Sequence, residues 1–485
     1  MINFEHISNF IGVTLIILGL LMATSVPISL MWESGDHWPL TTSSLITLAF
    51  GGLLWYYKFN TKGSLNRREA YLSVFLTWMA VALFSMLPFL ISGSIPSVID
   101  AFFESVSGIT TTGATILEDI EVIPEGLLYW RSMTQWIGGM GIILLGLAIF
   151  PLLGMGGAEL FVAENSGNLV DRIHPRVREI AKWIWIMYLS MTAVLFVLLH
   201  YGGMNIFDAI NHAFTTMATG GFSTKNASVG HWDVPFIQYS IILFMFLSGV
   251  NYSILYLGFS GKLKAAYKNE EVRWYFILLL LLSTVLFIIV LPEYPEGESM
   301  EKIIRDSLFQ VTSIFTTTGF ASADYTAWNP TATMLFFLLF FVGACAGSTS
   351  GGIKLTRHIL FLKNTLLEFK RILHPRAIIP VKLNGNVVKG KTMTNIIIFL
   401  LLHIFLFVTG IFFVSLFGIE FETNLGIVAS ALNNIGPALG EAGPTETYAH
   451  LPGAVKIFLA FYMILGRLEL FTVLVIFSPY FWKRN

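Results

Sequence analysis

Thr110-Thr111-Thr112-Gly113 is the first of four short segments cut to one template. The others are Ala218-Thr219-Gly220-Gly221, Thr316-Thr317-Thr318-Gly319 and Asn433-Asn434-Ile435-Gly436. The shared register extends upstream. Six residues before each glycine stand Ser107, Thr215, Ser313 and Ser430, all hydroxyl-bearing, and four before stand Ile109, Met217, Phe315 and Leu432, all large and apolar. Thirteen before stand Asp100, Asp208, Asp306 and Thr423. One such segment would be an ordinary glycine turn in a threonine-rich loop. Four in register, in a strongly apolar chain, point to four similar walls around one axis. A ring of backbone carbonyls on such an axis is how membrane proteins replace the hydration shell of a cation. Glycine suits that ring because carbonyls line a narrow path only where the backbone takes torsions closed to residues with a Cβ.

Hydrophobic residues make up 55% of the chain and charged ones 12%, about half the charged share of an ordinary soluble domain. Ten apolar stretches are long enough to cross a bilayer core at about 20 residues each, near 10–32, 40–57, 71–92, 127–150, 180–201, 234–258, 273–292, 330–347, 395–418 and 453–481. The first has no basic flank and no small-residue cleavage site, so it reads as a span and not as a cleaved signal. Of 29 Lys and Arg, 23 fall in loops that are cytoplasmic if the N-terminus is inside, with nine of them in 353–394. That bias sets the orientation and leaves an acidic outer face, which concentrates cations at its mouth. The single cysteine, Cys345, excludes an internal disulfide.

Each glycine segment lies in an outer loop between two spans, after about ten residues of helical character: 101–110, 209–218, 307–316 and 424–433. Asp100, Asp208, Asp306 and Thr423 are suited to cap these helices. At 1.5 Å per residue each is ~15 Å long, able to dip into the membrane but not to cross it. The return strand is then irregular backbone at membrane depth, tolerated where it lines a watery cavity. The helix C-termini point inward with partial negative charge, which favours a cation. The expected architecture is an all-α integral membrane protein: four tandem span–pore-helix–span repeats around a pseudo-four-fold pore, plus two extra N-terminal transmembrane helices. The corresponding units are 1–70, 71–179, 180–271, 272–393 and 394–485.

With Thr219-Gly220-Gly221-Phe222-Ser223-Thr224 and Gly347-Ser348-Thr349-Ser350-Gly351-Gly352-Ile353-Lys354, this plan resembles the Trk/Ktr/HKT superfamily of potassium transporters, and within it the TrkH-type bacterial subunit. The resemblance implies a potassium filter formed by Thr111, Thr112, Gly113, Thr219, Gly220, Gly221, Thr317, Thr318, Gly319, Asn434, Ile435 and Gly436. Gly113 is kept where some plant relatives with sodium preference carry serine. The fourth copy departs most, with asparagines for threonines and Pro437 after the glycine. The resemblance further implies a homodimer in the bacterial inner membrane, in contact with membrane lipid, K+ as the bound and transported ion, and a cytoplasmic nucleotide-binding partner of TrkA type. The basic inner loops around 262–273 and 354–391 suit such a partner, although the positive-inside rule alone produces the same charges.

Two further features stand out. Arg467 lies midway along the last apolar stretch, where a cation costs ~2.5–3.5 kcal/mol and must face a wet cavity or a partner. The resemblance implies a barrier below the filter; a structural ion pair with a carboxylate of another helix is the alternative. The stretch 343–352 holds four glycines and two serines and cannot sustain a helix cheaply. Gly347 and Gly352 have phosphate-loop spacing, but Ile353 stands where the lysine must be, so nucleotide binding is not expected. By resemblance Gly347, Ser348, Thr349, Ser350, Gly351 and Gly352 form a movable intramembrane gate. Gly138-Gly139-Met140-Gly141 and Gly249 read as sites of close helix packing. His174, His212, His358 and His374 show no ligand spacing, and no catalytic constellation is evident; neither an enzyme, nor an organic cofactor, nor nucleic-acid binding is expected. The rival reading is a cation:solute or K+:H+/Na+ symporter, which calls for inverted halves and broken helices.

Overall fold

In the computed structural model, residues 2–56, 66–141 and 177–483 are described. The second half of the 127–150 stretch, most of the 58–70 and 151–182 loops, and His174 lie outside them. The described chain is helical apart from one minimal hairpin, Lys382–Leu383 against Asn386–Val387.

The two N-terminal elements are Phe4–Ala23, continued by Ser25–Met31, and His37–Tyr56. They cross at glycines: a Cβ at Gly12 would meet the Gly51 carbonyl, and one at Gly51 the Gly12 carbonyl. Small residues permit this backbone approach, which dispersion then rewards in a lipid environment. Four units follow. Their first helices are Arg67–Ser85, Val177–Tyr201, Glu270–Val290 and Gly390–Ser415. Their short central helices are Val98–Ile109, Ile206–Met217, Met300–Phe315 and Phe421–Asn433.

The third helices of the second and fourth units correct the expectation of continuous spans, while that of the third is interrupted where the glycine-serine stretch implied. Pro235–Ser248 and Tyr252–Phe259 meet at 109°, and Gly453–Arg467 and Leu470–Phe477 at 117°. In the third unit, Pro330–Leu339 stops well short of 347, and the chain resumes helix at Leu355–Leu373. In the first, Glu125–Gly139 ends at the Gly-Gly pair. Hydropathy alone hides these breaks because both halves of each pair are apolar; the interruptions are Gly249-Val250-Asn251 and Arg467-Leu468-Glu469, with Glu469 at φ 60°.

Polarity is arranged for lipid outside and a polar interior. On Gly390–Ser415, Leu401, Ile404, Phe405, Val408 and Phe412 are all exposed, a stripe that water would not tolerate but hydrocarbon does. Among the described residues, five helices are long and apolar enough to cross a membrane, or up to seven when each bent pair counts as one span. The four short helices are instead packed in the centre. Around them Thr110–Thr112, Thr215, Thr216, Thr219, Thr316–Thr318, Asn433 and Asn434 are buried.

Candidate functional site: a ring of four glycines

Each short helix ends in the same way. The Thr111 N–H bonds the Gly108 carbonyl and the Thr112 N–H the Ser107 carbonyl, at 3.0 and 2.9 Å. Thr219 and Gly220 do the same to Thr216 and Thr215, and Thr317 and Thr318 to Ile314 and Ser313. This is the Schellman arrangement, which needs one left-handed residue after the helix. Thr111, Thr219 and Thr317 supply it at φ 55°, 52° and 55°. For a β-branched residue that torsion is a true outlier, costing ~1–2 kcal/mol. The fourth unit uses Asn434 at φ 55°, and asparagine tolerates this region better. The Ile435 N–H still reaches the Ser430 carbonyl at 3.1 Å. The departure of the fourth copy is therefore a local relaxation within an unchanged register. The hydroxyl positions six residues upstream are the ones whose carbonyls take these bonds. Two of them add side-chain bonds to the strand that follows, Ser313 to the Phe320 carbonyl at 2.7 Å and Ser430 to the Gly436 carbonyl at 2.9 Å.

The glycines then close a circuit. Gly113, Gly221, Gly319 and Gly436 all have positive φ, 87°, 77°, 78° and 100°. A Cβ at Gly113 would overlap the Gly220 carbonyl oxygen, one at Gly221 that of Thr318, one at Gly319 that of Ile435, and one at Gly436 that of Thr112. Unit one leans on two, two on three, three on four, and four returns to one. All four glycines also line a single outer vestibule. The four glycines singled out in the sequence are thus brought together at the floor of one vestibule.

The acids at the thirteenth position play a different part from the one expected. The caps are Ser97, Asn205, Ser299 and Glu420, three or more residues earlier. Asp208 instead accepts a hydrogen bond from Thr224 at 2.5 Å, and Asp306 one from Ser322 at 2.9 Å. Each acid thereby fastens the strand rising from its own glycine. Asp100 pairs with Lys456 at 2.6 Å, and Thr423 accepts the Glu441 N–H at 3.1 Å. In the first unit Glu104 holds the rising strand through Thr115 and the Ile116 N–H, while pairing with buried Arg131 at 2.7 Å. Arg131 also donates to the Ser223 carbonyl and stacks over Phe222.

Of the charges lining the vestibule, Arg131 is neutralised by Glu104 and Lys225 by Glu121. The hydrogen bond from Lys225 holds the Glu121 carboxyl below the usual range. Glu118 and Glu446 also line the mouth, with no ion pair among the described residues. The mouth is therefore net negative, as the sequence implied.

Beneath the ring lies the glycine-serine stretch. It is closed at its base by Gly343 N–H to the Ile353 carbonyl and Leu355 N–H to the Ala344 carbonyl. Its tip touches the ring directly. The Gly351 N–H donates to Thr317 Oγ1 at 2.7 Å, and Thr349 Oγ1 donates to the Met217 carbonyl and lies 3.4 Å from Thr219 Oγ1. A Cβ at Gly351 would meet the Asn433 carbonyl. Lys354 reaches back to Ser350, and Ser348 and Ser350 share a hydrogen bond. The Gly347 carbonyl accepts from Tyr252 N–H, and Gly352 turns the chain back at φ 68°.

Arg467 is not midway along a helix but at its C-terminal end. Its guanidinium donates to the Thr349 carbonyl at 2.7 Å and to the Gly138 and Gly139 carbonyls at 2.6 and 3.0 Å. It thus ties the fourth unit to the third unit's loop and to the end of the first unit's helix. Glu469 pairs with Arg357 at 2.7 Å. Sequence reading passed over Gln135, whose amide contacts the second glycine strand; nothing in its own neighbourhood signals this.

A ring of positive-φ glycines between four half-helices, with an acidic mouth above and a guanidinium below, defines a cation-conducting membrane protein with four parallel units. A family model described as TrkH, cation transport protein, matches residues 39–484, and the chain belongs to that family. It is 36% identical, over 99% of its length and all of theirs, to the Trk system potassium uptake proteins TrkH of Salmonella typhimurium and Escherichia coli. Identity to TrkG of Escherichia coli is 32% over the same share. The crystal structure of the potassium transporter TrkH from Vibrio parahaemolyticus matches with a TM-score of 0.89 and 34% identity, covering 99% of this chain and 100% of that one.

Proposed function

We propose that this chain is the ion-conducting subunit of a bacterial potassium-uptake system in the inner membrane, organised in the units 1–70, 71–179, 180–271, 272–393 and 394–485. It is an ion transporter, not an enzyme. The observation that carries the reading is the closed circuit of Gly113, Gly221, Gly319 and Gly436 at the floor of one vestibule. Thr111 to Gly113, Thr219 to Gly221, Thr317 to Gly319 and Asn434 to Gly436 surround a dehydrated K+ with main-chain oxygens, in place of water. The partial negative ends of four half-helices add to its stabilisation. An interior at −100 mV supplies ~2.3 kcal/mol per K+, so uptake requires no ATP hydrolysis by this chain.

The gate consists of Gly347 to Gly352 and Arg467. In the arrangement described, the loop tip sits against Thr219 and Thr317, and Arg467 clamps it by the Thr349 carbonyl. Opening means withdrawing the loop and turning the guanidinium off the axis. The basic helix Leu355–Leu373, continuous with that loop, is placed to transmit the state of a cytoplasmic nucleotide-binding subunit of TrkA type. Its exposed apolar stripe, Leu362, Leu366, Phe369 and Leu373, favours a homodimer. A symporter of solute, or of K+ with H+ or Na+, shares the broken helices, but the closed four-unit circuit favours a single ion path.

The test is reversal potential in proteoliposomes of the purified full chain, under opposed K+ and Na+ gradients with pH held and then stepped. The reading requires a reversal potential that follows the K+ gradient. One that follows the pH or Na+ gradient would support the symporter.

A further inference from the structure

Gln135, on Glu125–Gly139 of the first unit, is fully buried and grips the second unit's glycine strand on both edges. Its Oε1 accepts the Phe222 N–H at 3.0 Å, and its Nε2 donates to the Gly220 carbonyl at 2.6 Å. The amide has one possible orientation here: a backbone N–H only donates, so the oxygen faces Phe222 and the NH2 faces Gly220. Gly220 is the odd member of its set. Thr112, Thr318 and Ile435 carry side chains at the position before the ring glycine, whereas a Cβ at Gly220 would land on the Gln135 amide. An amide from the neighbouring unit fills the space of the missing side chain.

The consequence falls on the ring. The Gly220 carbonyl is one of the four that stand against the ring glycines. Among the described residues, the equivalent carbonyls of Thr112, Thr318 and Ile435 accept no hydrogen bond. An N–H donor occupies a lone pair and fixes the direction of the carbonyl it binds. We propose that Gln135 is a positioning residue that lowers the field of the second unit's ring carbonyl, and so biases the ring toward K+ over the smaller, more tightly hydrated Na+. The inference rests on the ring being the ion site. Carbonyl field strength is one of the determinants of K+ over Na+ discrimination, and a stronger dipole favours the smaller ion. One asymmetric carbonyl therefore acts on selectivity, not on throughput alone.

The experiment measures K+/Na+ permeability ratios, and separately total K+ flux, for the full chain in proteoliposomes. Gln135→Leu keeps the volume and removes the donor; the ratio should fall roughly fivefold, the net worth of one hydrogen bond. Gln135→Met, with a flexible side chain of similar volume and no donor for the carbonyl, should show the same lowered ratio, and it keeps the idea testable if Gln135→Leu fails to fold. Gly319→Ala serves as the check on the ring. A merely structural Gln135 predicts equal losses of K+ and Na+ flux and a ratio unchanged throughout. If Gly319→Ala alters the ratio while both Gln135 variants leave it alone, the role of Gln135 is overturned and the ring stands. If none of the three alters it, the ring reading falls and this inference falls with it.

Discussion

Replacing Arg467 by alanine perturbs the ion path most sharply, because its guanidinium holds the loop residue whose hydroxyl touches the ring. Nη1 lies 2.7 Å from the Thr349 carbonyl, and Thr349 Oγ1 lies 3.4 Å from Thr219 Oγ1. At a separation on the order of 6 Å between this charge and an ion leaving the ring, Coulomb repulsion opposes the ion's exit. At an effective dielectric constant of ~20 the repulsion is ~3 kcal/mol, or about 100-fold in rate if this barrier limits flux. Arg467→Ala also releases the Thr349, Gly138 and Gly139 carbonyls, whose dipoles then face the path and attract the ion. Both effects raise flux. Arg467→Lys separates charge from geometry: it keeps the cation but loses the planar fork that bridges three carbonyls, so flux should stay near the native value while the loop loosens. The assay is Rb+ uptake into proteoliposomes holding equal amounts of monodisperse protein, with an imposed potential. Arg467→Ala flux within twofold of the native protein would refute the barrier.

The remaining predictions concern the loop and the vestibule. Deleting 345–351 removes the contacts with Thr219 and Thr317 and should give a protein that conducts faster at rest; a folded deletion variant with native flux would exclude a gating role for the loop. Glu104→Gln leaves Arg131 without its buried partner, and one-sided loss of such a pair costs ~3–5 kcal/mol. A melting temperature in detergent lowered by several degrees is expected, and an unchanged one would show that the clamp on Thr115 and Ile116 contributes nothing.

The ring itself was legible in the sequence because its constraints are local. The glycine, the large apolar residue four before it and the hydroxyl six before it lie close together in the chain, and four copies made the pattern hard to miss; the left-handed torsions of Thr111, Thr219 and Thr317 were not legible, because β-branched residues rarely adopt them. The family resemblance rested on the same residues. Hydropathy predicts continuous third helices in the second and fourth units because it sums over both halves of a broken helix, although Asn251 and the Arg467-Leu468-Glu469 step stand out as polar insertions; in the third unit the glycines of 343–352 made the break legible. Asp208 and Asp306 suggested caps because aspartate is good at capping; their partners, Thr224 and Ser322, lie sixteen residues further on, across the glycine turn. Gln135 was invisible for a stronger reason: its contact with Gly220 spans 85 residues, and only the assembled ring brings the two together.

The central claim is that a bare cation sits on the axis shared by Gly113, Gly221, Gly319 and Gly436. Crystals of the full chain grown with Rb+ or Tl+ in place of K+, measured for anomalous scattering, locate that cation directly. The account predicts a peak enclosed by the strands Thr111–Gly113, Thr219–Gly221, Thr317–Gly319 and Asn434–Gly436, weakened when Na+ replaces the heavy ion. Heavy-ion density found only away from those four strands, in protein that still transports Rb+, would contradict it.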